Sequence, residues 1–142
     1  MKHNDYSLEE RQMAAIAHGS VVVTGPGIIV GVLIWLTQKE KSPYAAAQAM
    51  QAAVYQLLGT IAIVILWIAY SIFVLIATLP IMQHPSQYED TLPPLFWVSM
   101  ASMLIPFVIM GVWWLYGLWG AFQCWRGKDF RYALIGKRLL TD

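Results

Sequence analysis

Charged residues occur only near the ends of this 142-residue chain and in two short connections, and the stretches between them are largely apolar. No Lys, Arg, Asp or Glu is found within 12–38, 42–88 or 91–125. A charge at the centre of a bilayer costs several kcal/mol, whereas a soluble domain carries charges along its whole surface. The pattern therefore predicts an integral membrane protein.

The first apolar stretch predicts two helical pieces. Ser7 followed by Glu10 is a capping box, in which each side chain satisfies a backbone N–H at the start of a helix. The helix is expected to reach Val23 and to end at Gly25-Pro26-Gly27, because proline lacks an N–H and glycine admits left-handed backbone. A second apolar piece covers 28–36.

Two longer apolar stretches predict transmembrane helices. A new helix is expected to begin at Pro43, because proline fits the first turn. Its part within 57–79 is apolar apart from hydroxyl side chains, and as a helix it spans roughly 35 Å, enough to cross a hydrocarbon core of about 30 Å. We expect Pro80 and the polar stretch that begins at Gln83 to end this helix. The other stretch covers 95–122, with a kink expected at Pro106.

The break at Gly25-Pro26-Gly27 leaves two topologies open. If 13–36 is one span, the chain crosses the membrane three times, and basic residues lie on both sides. If the break makes a hairpin, the N-terminus, the connection 39–41 and the C-terminal tail share one side with every Lys and Arg, and the acidic loop 83–90 lies on the other. The positive-inside rule favours the hairpin. The piece 28–36 would then be re-entrant, because it is only about 14 Å long as a helix.

These features predict an all-α membrane protein, a small helical bundle with two long transmembrane helices and a Gly-Pro-Gly-broken N-terminal helical hairpin. Residues 1–142 are expected to form a single membrane-embedded helical domain, in which 123–142 is a basic amphipathic cytoplasmic tail. The expected location is a bacterial plasma membrane, crossed more than once, with the N- and C-termini in the cytoplasm.

Composition narrows the possible functions. Hydrophobic residues make up 58% of the chain, and the formal net charge of +1 is too small to indicate a nucleic-acid partner. The single cysteine, Cys124, excludes an intrachain disulfide. The sequence has no paired carboxylates, Ser–His pair or Cys–His pair at membrane depth and no metal-ligand spacing. We therefore predict no enzyme activity, cofactor or metal.

His18 is the most informative polar residue, because it lies inside the first apolar stretch. An ionisable residue at membrane depth can serve a proton or substrate path, and His18, Gln51, Gln56 and Thr60 would form the polar seam of such a path. The structural alternative is a neutral imidazole hydrogen-bonded inside the bundle, near Gln51 or Gln56. We expect this second arrangement, because polar residues in membrane bundles commonly pair with one another.

Two further sets of residues indicate contacts. Gly27 and Gly31 form a small-xxx-small pair, which lets helices approach closely. The C-terminal tail carries basic residues that would bind anionic lipid headgroups, each surface cation contributing about 1 kcal/mol. They are Arg126, Lys128, Arg131, Lys137 and Arg138.

Short motifs occur here in the order found in one family of bacterial membrane proteins. They are Glu10-Arg11, Ala14, Ala17-His18 and Ser20; Gly27-Ile28-Ile29, Ile34-Trp35-Leu36, Lys39 and Ser42-Pro43; Ala52, Tyr55 and Gln56; and Arg126-Gly127 with Phe130-Arg131-Tyr132. By these motifs the chain resembles the bacterial domain-of-unknown-function family 4870, a distant relative of the twenty-kilodalton subunit of the chloroplast inner-envelope import (Tic) machinery. It departs from that pattern at Val32, Val54 and Ala133. The resemblance implies a four-segment bundle and little about activity.

The sequence is best explained by a non-enzymatic integral membrane protein that acts as a small accessory or scaffold subunit of a membrane assembly. The alternative is a channel- or translocation-type component that uses the polar seam around His18. The expected partners are the lipid bilayer and either further copies of the chain or a larger membrane complex. The two functions differ in whether the polar side chains are paired inside the bundle or line a hydrated path.

Overall fold

The computed structural model describes residues 6–133 and 135, and these form α-helices and short 3-10 turns without a β-strand. The helices are α1 (Leu8–Gly19), α2 (Pro26–Gln38), α3 (Pro43–Gln83), α4 (Pro94–Ser102) and α5 (Leu104–Trp125). The predicted all-α class is confirmed for this part of the chain. Contacts divide the chain into two compact units, one of Met1–Thr60 with Val112–Asp142 and one of Ile61–Gly111. We call them the terminal unit and the central unit.

The capping box predicted at the start of α1 is present. The Ser7 N–H donates to Glu10 Oε2 (2.7 Å), and the Glu10 N–H donates to Ser7 Oγ (3.2 Å). Ser42, which follows α2, donates from its hydroxyl to Glu10 Oε1 (2.6 Å). The start of α1 and the end of α2 therefore lie together, and α1 and α2 form a helical hairpin.

α1 ends at Gly19, earlier than the predicted Val23, because side chains satisfy a carbonyl group of its last turn. The Ala17 carbonyl accepts from a serine hydroxyl (2.8 Å) and from a glutamine amide (2.9 Å). Gly25 has a φ of 88°, a left-handed conformation that favours glycine, and α2 begins at the next residue, Pro26. The break thus lies where the sequence predicted it.

α2 packs against α3 through small residues. A Cβ atom on Gly31 would lie 3.1 Å from the Ala53 Cβ, and one on Gly27 would overlap the Ser20 carbonyl oxygen. Only glycine allows both approaches without displacing backbone atoms. The small-xxx-small pair therefore serves packing within this chain.

α3 continues through Pro80 and ends at Gln83, the first residue of the polar stretch that was expected to end it, so only the expected role of Pro80 is wrong. Proline lacks only its own N–H donor and clashes with the turn that precedes it, so the residues after it can remain helical. The His84 N–H still bonds to the Pro80 carbonyl (3.0 Å).

The last apolar stretch, 95–122, is interrupted at Met103, between α4 and α5. Pro106 explains the position, because its missing N–H would have bonded to the carbonyl of Ser102, four residues earlier. The predicted kink is therefore present, displaced toward the preceding turn. In this central unit the Tyr70 hydroxyl donates to the Ser99 carbonyl (3.2 Å), which ties α3 to α4.

Two helical segments, Pro43–Gln83 and Pro94–Trp125, are long and apolar enough to cross a membrane. Only 11% of the apolar window of each segment is buried inside the protein, unlike the core helix of a soluble domain. Large apolar side chains are exposed along both, such as Ile65 (61%) and Leu104 (68%). A continuous apolar surface of this kind is suited to lipid rather than to water.

Candidate functional site: the histidine cluster

His18 lies in the last turn of α1, and its side chain is fully buried. Its Nδ1 atom is 2.9 Å from the Tyr132 hydroxyl, and its Nε2 atom is 3.0 Å from Gln48 Oε1. Gln48 in turn donates from its amide nitrogen to Asp129 Oδ1 (2.8 Å). We call these four residues the histidine cluster. It joins α1, α3 and the segment that follows α5.

The hydrogen bonds determine which nitrogen of His18 carries the proton. An ionised carboxylate can only accept, so the Gln48 amide nitrogen faces Asp129 and the Gln48 oxygen faces His18. His18 therefore donates from Nε2–H, and its Nδ1 accepts from the Tyr132 hydroxyl. The Cys124 thiol donates to the same Gln48 oxygen (3.4 Å). Each polar side chain of the cluster thus has a partner, which removes the cost of burying an unpaired group.

Burial sets the protonation state of the cluster. It lowers the pKa of His18, which lies on α1 outside the two candidate spans, to about 4, although the hydrogen bond to Gln48 acts in the opposite direction. Burial also raises the pKa of the Tyr132 hydroxyl. Both side chains are therefore uncharged at neutral pH. Within the part of the chain that the structure describes, no group of three or more His, Cys, Asp or Glu is arranged to hold a metal ion.

Aromatic rings surround the cluster. Tyr55 stacks on Tyr132 with ring centroids 3.9 Å apart and an interplanar angle of 5°. Phe130 meets the His18 ring edge-on at 5.6 Å and the Tyr132 ring at 4.9 Å. Gly120 on α5 leaves room for these rings, because a Cβ atom there would lie 2.8 Å from a Phe130 ring carbon. Each aromatic pair contributes about 0.5–1.5 kcal/mol beyond simple burial.

The residues after α5 reach the cluster because the helix ends in a tight turn. Gly127 has a φ of 73°, and the Lys128 N–H bonds back to the Gln123 carbonyl (3.0 Å). This left-handed helix cap reverses the chain direction. We call 126–133 the return segment, and it carries Tyr132 to the histidine. The described part of the predicted amphipathic tail is thus packed on the terminal unit.

The predicted glutamine partner of His18 is wrong, because the observed partner is Gln48. Glu10 at the start of α1 bonds to Ser42 just before α3, so the two helices begin at the same end. His18 lies about 12 Å further along α1, and the same rise along α3 reaches a level between Gln48 and Gln51. Of these two glutamines, Gln48 is the one whose side chain meets the imidazole.

The other residues of the predicted polar seam have separate surroundings. Gln56 donates to the Ala17 carbonyl (2.9 Å) and to the Ser20 hydroxyl (3.1 Å). The side-chain polar atoms of Gln51 and Thr60 are buried and have no hydrogen-bond partner among the described residues. The histidine shares no hydrogen bond with any of these three side chains. The four predicted residues therefore do not form a continuous chain of hydrogen bonds.

Sequence reasoning missed Gln48, Asp129 and Tyr132. A signal for Tyr132 was available, because aromatic and charged residues alternate at the C-terminus. Phe130 and Tyr132 point inward and Arg131 is exposed, as expected of an extended segment with one buried face. The alternation was interpreted instead as an amphipathic tail. Nothing in the sequence singles out Gln48 from its neighbouring glutamines.

The basic residues predicted to bind lipid have different surroundings. Arg126 and Lys128 are exposed on the return segment. Arg131 donates to Asp129 Oδ2 from Nε (3.1 Å) and from Nη2 (3.0 Å), so its charge is already paired. Lys137 and Arg138 lie outside the described residues.

Comparison with known protein families gives a match over residues 9–140, almost the whole chain. The comparisons with curated proteins and with solved structures found no match. The matching family is not the family of unknown function 4870, and it is unrelated by description to the chloroplast import subunit, so that resemblance is wrong. Its motifs were short groups of small, aromatic and basic residues, which apolar helical bundles of different families can share. The chain belongs to the magnetosome magnetite crystal formation protein family (MamF/MmsF).

Proposed function

We propose that this protein is a non-enzymatic, multi-pass membrane component of the magnetosome that acts as an accessory or scaffold subunit in magnetite crystal formation. Membership of the family supports a membrane-associated protein involved in crystal formation. The observation that carries the scaffold role is that both ring nitrogens of His18 are bonded to protein groups. A histidine that transfers a substrate needs a nitrogen open to it, whereas this one holds three parts of the chain together.

The proposed topology has Pro43–Gln83 and Pro94–Trp125 crossing the membrane, with α1 and α2 as a hairpin that does not cross. The N-terminus, the connection 39–41 and the return segment then share one side. The bond between Ser42 and Glu10 supports this arrangement, because it joins both ends of the hairpin. The positive-inside rule assigns that side to the cytoplasm and the loop before α4 to the opposite face.

Cysteine accessibility tests the topology. Single cysteines would replace Asn4, Glu40 and Ser86 in a Cys124→Ser background, and each would be labelled with a membrane-impermeant thiol reagent. We expect Asn4→Cys and Glu40→Cys to react from the cytoplasmic side and Ser86→Cys from the other. Labelling of Asn4→Cys on the same side as Ser86→Cys would contradict the hairpin.

Two substitutions of His18 test the scaffold role in a magnetosome-forming host that lacks the native protein. Glutamine can donate and accept hydrogen bonds but cannot titrate, whereas alanine can do neither. We expect His18→Ala to lower the amount of protein in the magnetosome fraction and to change the crystal sizes seen by electron microscopy. His18→Gln should restore both. Normal protein levels with abnormal crystals in His18→Gln would contradict a purely structural role.

The alternative function is a conducting or translocating component. The observation in its favour is the pair Gln51 and Thr60, whose buried polar atoms have no partner among the described residues. Buried groups of this kind can bind water or a permeating ion. Purified protein in liposomes would show a proton or cation flux that Gln51→Leu abolishes. The scaffold proposal expects no flux above that of empty liposomes, with or without the substitution.

A further inference from the structure

Three basic side chains lie where α5 ends without an acidic partner in the part of the chain that the structure describes. Arg126 and Lys128 are exposed, and neither forms an ion pair there. The Arg11 Nε atom is buried and has no hydrogen-bond partner among the described residues. Asp129, the acidic residue next in sequence, is already bonded to Arg131 and to a glutamine amide. Within residues 6–133, the charge of these three side chains is therefore uncompensated.

Gly127 is the point at which Arg11 meets the return segment. A Cβ atom on Gly127 would lie 3.1 Å from Arg11 Cδ and 3.6 Å from Arg11 Nη1. The arginine side chain therefore lies across the glycine, whose chain neighbours are Arg126 and Lys128. The C-terminal end of α5 offers about half a negative charge, which offsets only part of three cations. An anion bound among them would remove the remaining repulsion.

The proposed topology places these cations at the level of the lipid headgroups, because charged side chains cost several kcal/mol inside the hydrocarbon core. The helix Leu104–Trp125 has 22 residues, and its length of about 33 Å slightly exceeds a hydrocarbon core of about 30 Å. Arg126 follows directly, with its guanidinium 5.5 Å from the centre of the Phe122 ring. Trp119 and Trp125 are 52% and 51% exposed, as expected of side chains at a membrane interface.

We propose that Arg11, Arg126 and Lys128 bind the phosphate of an anionic phospholipid headgroup. This inference rests on the proposed crossing of the membrane by α5. A guanidinium binds phosphate through parallel N–H donors, and lysine adds a compact charge. A lipid suits the position better than a free anion, because exposed apolar helix surface lies next to the cations and can hold acyl chains. Compared with the sequence prediction, the set gains Arg11 and loses Arg131, whose charge is paired with a carboxylate. It also omits Lys137 and Arg138, which lie outside the described residues.

The test measures lipid binding to the full-length protein after delipidation in a neutral detergent. Native mass spectrometry would compare phosphatidylglycerol with phosphatidylcholine of the same acyl chains. The variants are Arg11→Gln and the double substitution Arg126→Gln with Lys128→Gln. The control is Arg131→Gln, which removes the same charge from the same segment.

We expect phosphatidylglycerol to bind in preference to phosphatidylcholine. Neutralising one cation of the patch should weaken phosphatidylglycerol binding about fivefold, the equivalent of about 1 kcal/mol, and the double substitution should weaken it more. The control should change the affinity by less than about twofold, because that arginine is ion-paired on the surface. Circular dichroism would check that each variant keeps its helices. If Arg11→Gln fails to fold, the double substitution still decides, because both of its side chains are exposed.

Equal affinity for the two lipids, or an equal loss in Arg131→Gln, would overturn the proposal. Competition by millimolar inorganic phosphate that displaces phosphatidylglycerol would assign the patch to a soluble anion and overturn the lipid assignment. Extraction of native membranes with alkaline carbonate tests the crossing itself. Release of the wild-type protein would contradict the proposed function, whereas a retained protein without lipid preference would contradict only this inference.

Discussion

The helices of the terminal unit and those of the central unit are held together by different kinds of contact. In the terminal unit, long polar side chains such as His18 and Gln48 are fully buried and bond to groups on other segments. In the central unit, the polar groups are mostly hydroxyls that bond within their own helix, as Ser71 does to the Trp67 carbonyl (2.8 Å). Apolar contact between helices gains little over contact with lipid, so specific association needs close packing or polar bonds. The terminal unit has both, and we expect it to determine which arrangement the chain adopts.

Replacing a glycine by alanine should give the largest difference between the two units in the free energy of unfolding. Gly27→Ala places a methyl group on the Ser20 carbonyl, and neither backbone can yield easily, so we expect a loss of about 3 kcal/mol in the free energy of unfolding. Gly111→Ala, in the central unit, meets no atom within 4 Å and should stabilise its helix by about 0.5–1 kcal/mol. Unfolding in mixed detergent micelles measures both. A similar effect at the two positions would remove the distinction.

Removing the histidine should have the next largest effect. His18→Ala leaves the buried Tyr132 hydroxyl without its acceptor and the Gln48 oxygen with only the weak thiol donor of Cys124, and we expect a loss of about 2–3 kcal/mol. His18→Gln should recover at least half of that loss, because its amide can donate to Gln48. The same unfolding measurement applies. A loss below about 0.5 kcal/mol in His18→Ala would show that the cluster does not stabilise the terminal unit.

Stability should fall with acid in the range where unfolded histidine titrates. The folded pKa of His18 is about 4 and the model-peptide value is 6.5, so the unfolded chain binds the proton more readily. Stability is therefore complete above about pH 7 and is lost as the pH falls toward 4, with a difference of about 2 kcal/mol between pH 7.5 and pH 5. The pKa of Glu10 is lowered by its hydrogen bonds to Ser42 and Ser7. The stability that Glu10 provides is therefore lost only when the pH falls to and below its ordinary pKa of 4.5. In His18→Gln, the free energy of unfolding should no longer change with pH above pH 5. If its dependence on pH is the same as in the wild type, His18 is not the cause.

The smallest expected difference in stability is between the losses of two tyrosine hydroxyls, one in each unit. Tyr132→Phe removes the donor to the buried His18 Nδ1 and should cost about 1–2 kcal/mol. Tyr70→Phe removes a bond to the Ser99 carbonyl within the central unit, which should cost about 0.5 kcal/mol, as is typical between membrane helices. Equal effects in thermal unfolding would indicate that both units depend on polar bonds to the same degree.

Much of the helical arrangement could be predicted from local sequence. The charge-free stretches indicate the apolar helices, and Gly25 and Pro43 mark a break and a helix start that depend only on backbone chemistry. The polar stretch that begins at Gln83 likewise marks the end of α3. Pro80 restricts the turn before it, so the helix end is decided by the residues that follow.

The site was less predictable because it depends on register between distant segments. The sequence indicates that His18 needs a partner but not which glutamine lies level with it. The bond between Glu10 and Ser42 aligns the starts of α1 and α3, but it leaves Gln48 and Gln51 both within about 3 Å of the level of His18, so the choice depends on which side chain faces α1. Tyr132 reaches the histidine cluster because the chain turns back at Gly127. No short motif in the sequence specified the backbone conformation of that turn.

The bond between His18 and Tyr132 joins residues 114 positions apart, and this separation has a kinetic consequence. A ribosome adding about 5–20 residues per second needs roughly 6–23 s to make the intervening chain. During that time both apolar helices have emerged, but the imidazole still lacks one of its two partners. The terminal unit can therefore close only after Tyr132 has been synthesised. A nascent chain that stops before Tyr132 would present an unpaired buried histidine to the quality-control proteases of the membrane, however well its helices have inserted.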